Sequence, residues 1–217
     1  MCPNIAFAIN QLASYTANPS LQHIIAVKRI LRYLSGIRNF DITYKHIPDS
    51  PISFQGWTNA SYKSWDDGKS TMGYVFLAAE GIITWQLMKQ PVTTQSFMEA
   101  EYIALWKDGK EASWLWNLYN ELGLTQKKPT ILVSDSDDAV SIAWNSLFHK
   151  RMKHIDSRFH WVRKKVQVGR FEAEWCLTKK QTADMPTKPL PCPLHINHTT
   201  LMRVVHEGPV SWTGKDW

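Results

Sequence analysis

Glu99-Ala100-Glu101-Tyr102-Ile103-Ala104-Leu105 opens the longest helical pattern in the chain. From about Ser96 to Leu122, the residues Ala100, Ile103, Ala104, Trp114, Leu115, Leu118 and Leu122 return at the spacing that lines one face of a helix. Gly123 can close that helix, because glycine adopts the left-handed backbone of a C-terminal cap without strain. At the other end, Ser96 is the side chain placed to accept from the first unpaired backbone N–H groups.

Outward from this helix the period becomes that of strands. Upstream, Ile52 to Thr58 reads as a strand, Met72 to Ala79 as a second and Ile82 to Gln86 as a third, the last two joined by a tight turn at Glu80-Gly81. Downstream come a strand from Thr130 to Val133, a short helix after Asp135 and a basic helical stretch from about Lys153 to Val168. A last strand, Phe171 to Leu177, and a short helix near Thr182 to Lys188 follow. Strands and helices in this order predict an α/β domain over residues 51–188.

Two helices and a strand precede it. Ile5 to Tyr15 is apolar, Asn18-Pro19-Ser20 is a break with Ser20 as N-cap, and Leu21, Ile24, Ile25, Leu31 and Leu34 keep helical spacing as far as Gly36. Lys28, Arg29 and Arg32 occupy the polar side of this second helix, and Phe40 to Tyr44 alternates like a strand. Pro48-Asp49-Ser50-Pro51 marks the boundary, so that residues 1–50 form a helical unit ahead of the α/β domain. From Pro189 the chain is rich in Pro and His with weak periodicity, which predicts a loosely ordered tail over 189–217.

Composition narrows the class. The 217 residues are 44% hydrophobic and 20% charged, the balance of a globular protein in water. Twenty-five Lys and Arg against 19 Asp and Glu give +6, which is compatible with a nucleic-acid partner without establishing one. Cys2, Cys176 and Cys192 are odd in number and widely spaced, which argues against a disulfide framework or a zinc site and suits a reducing compartment. No apolar run is long enough to cross a membrane, and the first residues lack the basic and apolar regions of a signal peptide. The expectation is an intracellular chain, in cytoplasm or nucleus, neither secreted nor bound to membrane.

Three acids are placed for chemistry. Glu101 lies early on the long helix, Asp135 directly follows a strand, and Asp184 lies in the last short helix. Hydrolysis of a phosphodiester by two divalent ions needs several carboxylates converging on one point. With 19 acids in the chain, solvated surface carboxylates are the competing reading.

A set of motifs decides between them. Glu99 to Leu105 resembles the E-A-E-Y-x-A-L signature of the ribonuclease H of copia-type retrotransposons, and Val133-Ser134-Asp135-Ser136 resembles its next strand end, where Asn usually stands at the place of Ser136. Arg151-Met152-Lys153-His154-Ile155-Asp156, with Phe159-His160, and Gln181-Thr182-Ala183-Asp184-Met185-Pro186-Thr187-Lys188-Pro189-Leu190 resemble its two later motifs. Ser70-Thr71-Met72-Gly73-Tyr74 and Ile83-Thr84-Trp85 match its second and third strands. Ile5 to Leu12 and Lys28 to Leu34 are similar to the end of the same polyprotein's reverse transcriptase. The likeness runs over residues 3–190 in the correct order.

The resemblance implies a ribonuclease H-like fold, with a five-stranded mixed sheet flanked by helices and preceded by a short reverse transcriptase remnant. It implies Mg²⁺ or Mn²⁺ held by Glu101, Asp135 and Asp184, an RNA–DNA hybrid as partner, and the rest of the reverse transcriptase as neighbour in the parent polyprotein. The family's first catalytic aspartate lies in a pattern like G-[YF]-[ST]-D-A-D-W, which here reads Gly56-Trp57-Thr58-Asn59-Ala60-Ser61-Tyr62. Both aspartates are gone. Asn59 is a neutral amide with one carbonyl oxygen and cannot bridge two divalent ions as a carboxylate does. Impaired catalysis is therefore expected, and a dead nucleic-acid-binding module or a non-functional fragment of a decayed element is the alternative.

Two further features bear on that site. Pro186 would distort a helix that starts near Thr182. Lys153, His154, Arg158, Arg163 and Lys164 are candidates for contact with nucleic acid, the competing reading being an ordinary solvated helix face. His154 and His160 are each read either as groups that shuttle protons or contact phosphate or as structural helix-start histidines.

Overall fold

The computed structural model describes residues 2–45, 52–144 and 156–206. In chain order the elements are α1 (Ala6–Ala13), α2 (Leu21–Gly36), β1 (Phe40–Ile42), β2 (Phe54–Ser61), β3 (Thr71–Ala78), β4 (Gly81–Lys89) and α3 (Phe97–Glu121). They continue with β5 (Thr130–Ser134), α4 (Asp137–Trp144), α5 (Asp156–Gln167), β6 (Phe171–Trp175), α6 (Asp184–Thr187), α7 (Cys192–Leu201) and β7 (Val204–His206). Among the described residues no helix is long and apolar enough to cross a membrane.

Five strands form one sheet in the order β4-β3-β2-β5-β6. Antiparallel pairing joins β2, β3 and β4, whereas β5 runs parallel to β2 and β6 parallel to β5. The sheet is therefore mixed, five-stranded and flanked by helices, the ribonuclease H-like arrangement expected. Alternation along the strands sends Tyr74 and Phe76 to one face and Val75 to the other. On the first face they pack with Phe54 and Leu132 against Ala100, Ile103, Ala104 and Leu115 of α3. On the second, Val75 and Ile82 meet Met185, Met202 and Val204.

Burial corrects the stripe read for α3. Trp116 is 8% exposed and its Nε1 donates to Thr130 Oγ1 at 2.8 Å, whereas Trp114 is 56% exposed and Leu122 62%. The inward face runs through Ala104, Leu105, Asp108, Ala112, Leu115, Trp116 and Tyr119. A polar Asp108 and a small Ala112 hide that stripe when only large apolar residues are followed.

The β3–β4 turn also differs by one residue. Ala79 and Glu80 both have positive φ, 49° and 64°, which is the backbone of a two-residue type I′ hairpin turn. Gly81 is already in β4, and its role is close approach: a Cβ there would meet the Thr43 carbonyl oxygen at 2.5 Å.

Within the tail expected to be loose, Cys192–Leu201 form a helix and Val204–His206 a strand. Pro193 lies in the first turn of α7, where the missing N–H costs nothing, so prolines that suggest a break mark a helix start. Beyond it β7 pairs antiparallel with β1, matching Phe40 with His206 and Ile42 with Val204. Met202 is fully buried. The Asn4 side chain donates to the Tyr33 hydroxyl at 2.6 Å, and the His195 ring bonds the Asn4 carbonyl at 2.9 Å, so α7 also touches the first residues of the chain. The boundary read at Pro48–Pro51 and the end of the tail, 207–217, lie outside the described residues.

Candidate active site

Four positions meet around the carboxyl-terminal ends of β2 and β5. Asn59 lies inside β2 and is paired with Gly73 of β3, because β2 extends three residues past its expected end. Glu101 sits in the second turn of α3, Asp135 directly follows β5, and Asp184 is the first residue of α6. Because β5 runs parallel beside β2, the end of β5 that carries Asp135 points the same way as the end of β2 that carries Asn59.

Local chemistry fixes each of them. Ser96 caps α3, its side chain accepting from Glu99 N at 3.1 Å, and Glu99 Oε2 accepts from Gln95 N at 2.8 Å. The cap sets the helix register, and Glu101 Oε2 then accepts from the backbone N–H of Ala60 at 3.0 Å. Ser136, where the family usually has Asn, caps α4 by accepting from Ala139 N at 3.3 Å and so supports the turn that holds Asp135.

The closing motif is anchored through Gln181. Its Nε2 donates to Thr58 O at 3.0 Å and its Oε1 accepts from Ala183 N at 3.2 Å. Gly73 lets α6 lie directly on the sheet, since a Cβ there would meet Thr187 Cγ2 at 2.8 Å and the Gln86 carbonyl at 2.9 Å. Pro186 does not distort α6. The helix starts at Asp184 rather than Thr182, which leaves Pro186 in the first turn, where proline is tolerated.

The hydrogen bonds within the cluster are directional. Asn59 Nδ2 donates to Asp184 Oδ1 at 2.8 Å and to Thr187 Oγ1 at 2.6 Å, which uses both amide hydrogens. The Thr187 hydroxyl in turn donates to Ala183 O at 2.8 Å. Lys188 Nζ lies 2.8 Å from the same Asp184 Oδ1. Two other carboxylate oxygens, Glu101 Oε1 and Asp135 Oδ1, are buried with no hydrogen-bond partner.

Burial raises Glu101 well above the usual carboxylate range, with the Asp135 charge adding to it and the Ala60 hydrogen bond opposing it. Burial also raises Asp184, against the pull of the Lys188 ammonium. Cys176, just past β6, is pushed up to about 11, first by burial and then by the charges of Asp135 and Asp184. Its N–H donates to Ser134 O at 2.9 Å, which keeps it at the edge of the site.

The donor set does not fit a pair of divalent ions as it stands. The two orphaned oxygens of Glu101 and Asp135 are hard donors of the kind Mg²⁺ takes. Asp184, however, turns an oxygen to an ammonium and an amide, and Asn59 presents hydrogens where a bridging ligand would present lone pairs. Among the described residues no group of three His, Cys, Asp or Glu side chains is arranged to hold a metal ion.

Of the residues read as nucleic-acid contacts, Arg158, Arg163 and Lys164 are described and lie on α5. Lys153 and His154 lie outside the described residues. Arg158 sits over the Trp106 ring at 5.0 Å, with Lys110 Nζ on the same ring at 4.0 Å. Arg163 is half-buried and near Tyr102, where its charge opposes the burial that raises the phenol. Lys164 and His160 are exposed on α5. Thr187 and Lys188 belong to the site although no role was read for them. Their signal was present, since positions three and four residues after Asp184 share its face of a helix.

Comparison with known proteins adds descent to this geometry. The chain is similar to the retrovirus-related Pol polyprotein from transposon TNT 1-94 of Nicotiana tabacum, 38% identical over 190 residues that make up 87% of this chain and 14% of that protein. The corresponding polyprotein from transposon RE1 of Arabidopsis thaliana is 35% identical over 189 residues, 87% of this chain and 13% of its own length. The chain thus spans only a small part of these relatives. Among solved structures, the N-terminal RNase H domain of Rv2228c from Mycobacterium tuberculosis aligns with a TM-score of 0.44 at 14% identity, covering 69% of this chain and 97% of that chain. An LC11-RNase H1 in complex with RNA/DNA hybrid aligns with a TM-score of 0.45 at 13% identity, covering 59% and 88%. No family model matches.

Proposed function

The chain belongs to the Pol polyproteins of copia-type retrotransposons, and on that premise we propose that it is their ribonuclease H part with its nuclease centre impaired by the loss of the first aspartate. The observation that carries the reading is Asn59. The motif calls for a carboxylate there, and the amide instead spends both hydrogens on Asp184 and Thr187. Glu101, Asp135 and Asp184 remain as the inherited carboxylates, and a Mg²⁺ or Mn²⁺ requirement belongs to the ancestral activity. Residues 1–50 are the remnant that adjoins the rest of the reverse transcriptase. The expected substrate class is an RNA–DNA hybrid, whose RNA strand is marked by its 2′-hydroxyls. Arg158 and Lys164, both on α5, are among the basic residues that would meet its phosphates. Cys2, Cys176 and Cys192 are all unpaired, which supports an intracellular setting.

The test uses the natural chain with a labelled hybrid duplex in Mg²⁺ and in Mn²⁺. The expected result is an affinity that falls as salt rises, with no cleavage above background. Efficient cleavage by the natural chain would overturn the impairment. Absence of salt-dependent binding would reduce the chain to a fragment that keeps only its ancestry.

A further inference from the structure

We propose that Trp175, with Lys179 and Lys180 close by in the chain, forms a stacking platform for an unpaired nucleobase at the rim of the candidate site. The inference rests on the proposed function for the ligand being nucleic acid, and it adds a contact to unpaired strand that a paired hybrid does not use.

Topology puts the indole there. Strands β2, β5 and β6 run parallel, so their carboxyl-terminal ends lie along one edge of the sheet, the edge outside which open α/β sheets hold ligands. Asn59 lies near the first of these ends, Asp135 follows the second, and Trp175 is the last residue of the third, in register with Ser134. Trp175 Nε1 donates to the Asp135 carbonyl oxygen at 3.1 Å, and the Cys176 N–H donates to Ser134 O at 2.9 Å. The indole is therefore tied to the turn that carries Asp135. Phe171 and Ala173 share its face of β6 by alternation and are buried in the main core, yet Trp175 is 51% exposed. An indole has a single donor, and here the backbone takes it. What stays open to solvent is apolar ring, and a flat π surface is what a base stacks on.

The charges around the ring direct the rest of a nucleotide. Asp137 and Asp138 at the start of α4, and Glu174, are exposed and repel phosphate. Lys179 and Lys180 are exposed on the turn Thr178–Lys180, and the Lys180 charge reaches Cys176, the residue next to Trp175. These two lysines are the anchor for phosphate beside the ring. Base faces are hidden inside a paired duplex, so the platform serves a nucleotide that is unpaired.

The test measures binding of labelled single-stranded RNA and of a fully paired RNA–DNA hybrid, both in EDTA so that neither is cut. The proteins are the natural chain, Trp175→Ala, Trp175→Phe and Trp114→Ala. Trp175→Ala is expected to lose about tenfold in affinity for the single strand and little for the hybrid. Trp175→Phe also lacks the bond to Asp135 but keeps a ring, so it should lose much less. Trp114→Ala removes a similarly exposed indole from α3 and should change neither affinity. Joint Lys179→Met and Lys180→Met should flatten the salt dependence of single-strand binding. If Trp175→Ala does not fold, Trp175→Leu takes its place, filling the position without a flat ring. Unchanged single-strand affinity in the ring-less variant, equal losses in the ring-less and Phe variants, or an equal loss in Trp114→Ala would overturn the platform. A natural chain that binds the single strand through Trp175 but ignores the hybrid would sink the hybrid reading and leave the platform standing. A natural chain that binds neither overturns both.

Discussion

Asp108 shows how much a single side chain can set against the fold. It lies on the inward face of α3, fully buried, and neither carboxyl oxygen has a hydrogen-bond partner. Burial raises it well above the usual carboxylate range, and the nearby Glu111 charge adds to the shift. The sign follows from linkage. A carboxyl whose folded pKa exceeds its unfolded one binds more protons in the folded state, so its contribution is intact below the ordinary carboxylate pKa and is lost as pH rises through and above it. Asp108→Asn should therefore leave stability little changed near pH 4 and raise it relative to the natural chain near pH 8, as urea unfolding at the two pH values would read. An unchanged difference between the two proteins across that range would contradict the burial argument. Glu101 carries the same sign, but its loss would also disturb the bond from Ala60 N, so it makes the poorer probe. At this scale the motifs named Asn59, Glu101, Asp135 and Asp184, and these four positions lie together in the fold. The sequence reading gave no role to Thr187 and Lys188: their spacing from Asp184 was legible, but that this face of the short helix meets β3 was not.

Helix α3 is where element-level reading and packing diverge. Its ends were legible: Ser96 caps it, and Gly123 follows it with φ of +76°. Ser96→Ala should cost about 1 kcal/mol through the lost cap, measured by chemical unfolding. The face was misread at Trp114 and Leu122, which are exposed, while Asp108 and Ala112 occupy part of the buried stripe beside Leu115. Paired substitutions test the corrected face. Trp116→Phe removes the bond to Thr130 and should destabilise by about 1–3 kcal/mol. Trp114→Gln on the exposed side should stay within about 0.5 kcal/mol. Equal losses at the two tryptophans would mean that the stripe is wrongly phased. The hairpin turn makes the same point about context. Glu80 takes the left-handed backbone that Gly81 would have suited, because Glu80 pairs with Lys45 and Arg203 and Gly81 is needed where Thr43 passes close.

Across the whole molecule, the first and last described segments are one structure. Strand β1 from the remnant pairs with β7 from the tail, and Met202 fills the core on the second face of the sheet. Met202→Ala should cost about 2–5 kcal/mol, and a comparable loss on truncation after Leu190 would show that the tail stabilises the whole. Weak periodicity hid this, because α7 buries His198 and Thr199 rather than an apolar stripe. The other face of the remnant is unsatisfied: Leu21, Ile24, Ile25 and Leu31 of α2 are 46–72% exposed, which predicts poor solubility for the isolated chain. The central claim is that a hybrid-cleaving centre lies here, disabled at one residue. The most direct measurement is cleavage of a labelled RNA–DNA hybrid in Mg²⁺ by the natural chain, by Asn59→Asp and by Asn59→Asp with Asp135→Asn. The account predicts cutting of the RNA strand by Asn59→Asp alone. Equal cutting by the natural chain, or silence from an Asn59→Asp protein that is folded and stabilised by Mg²⁺, would contradict it.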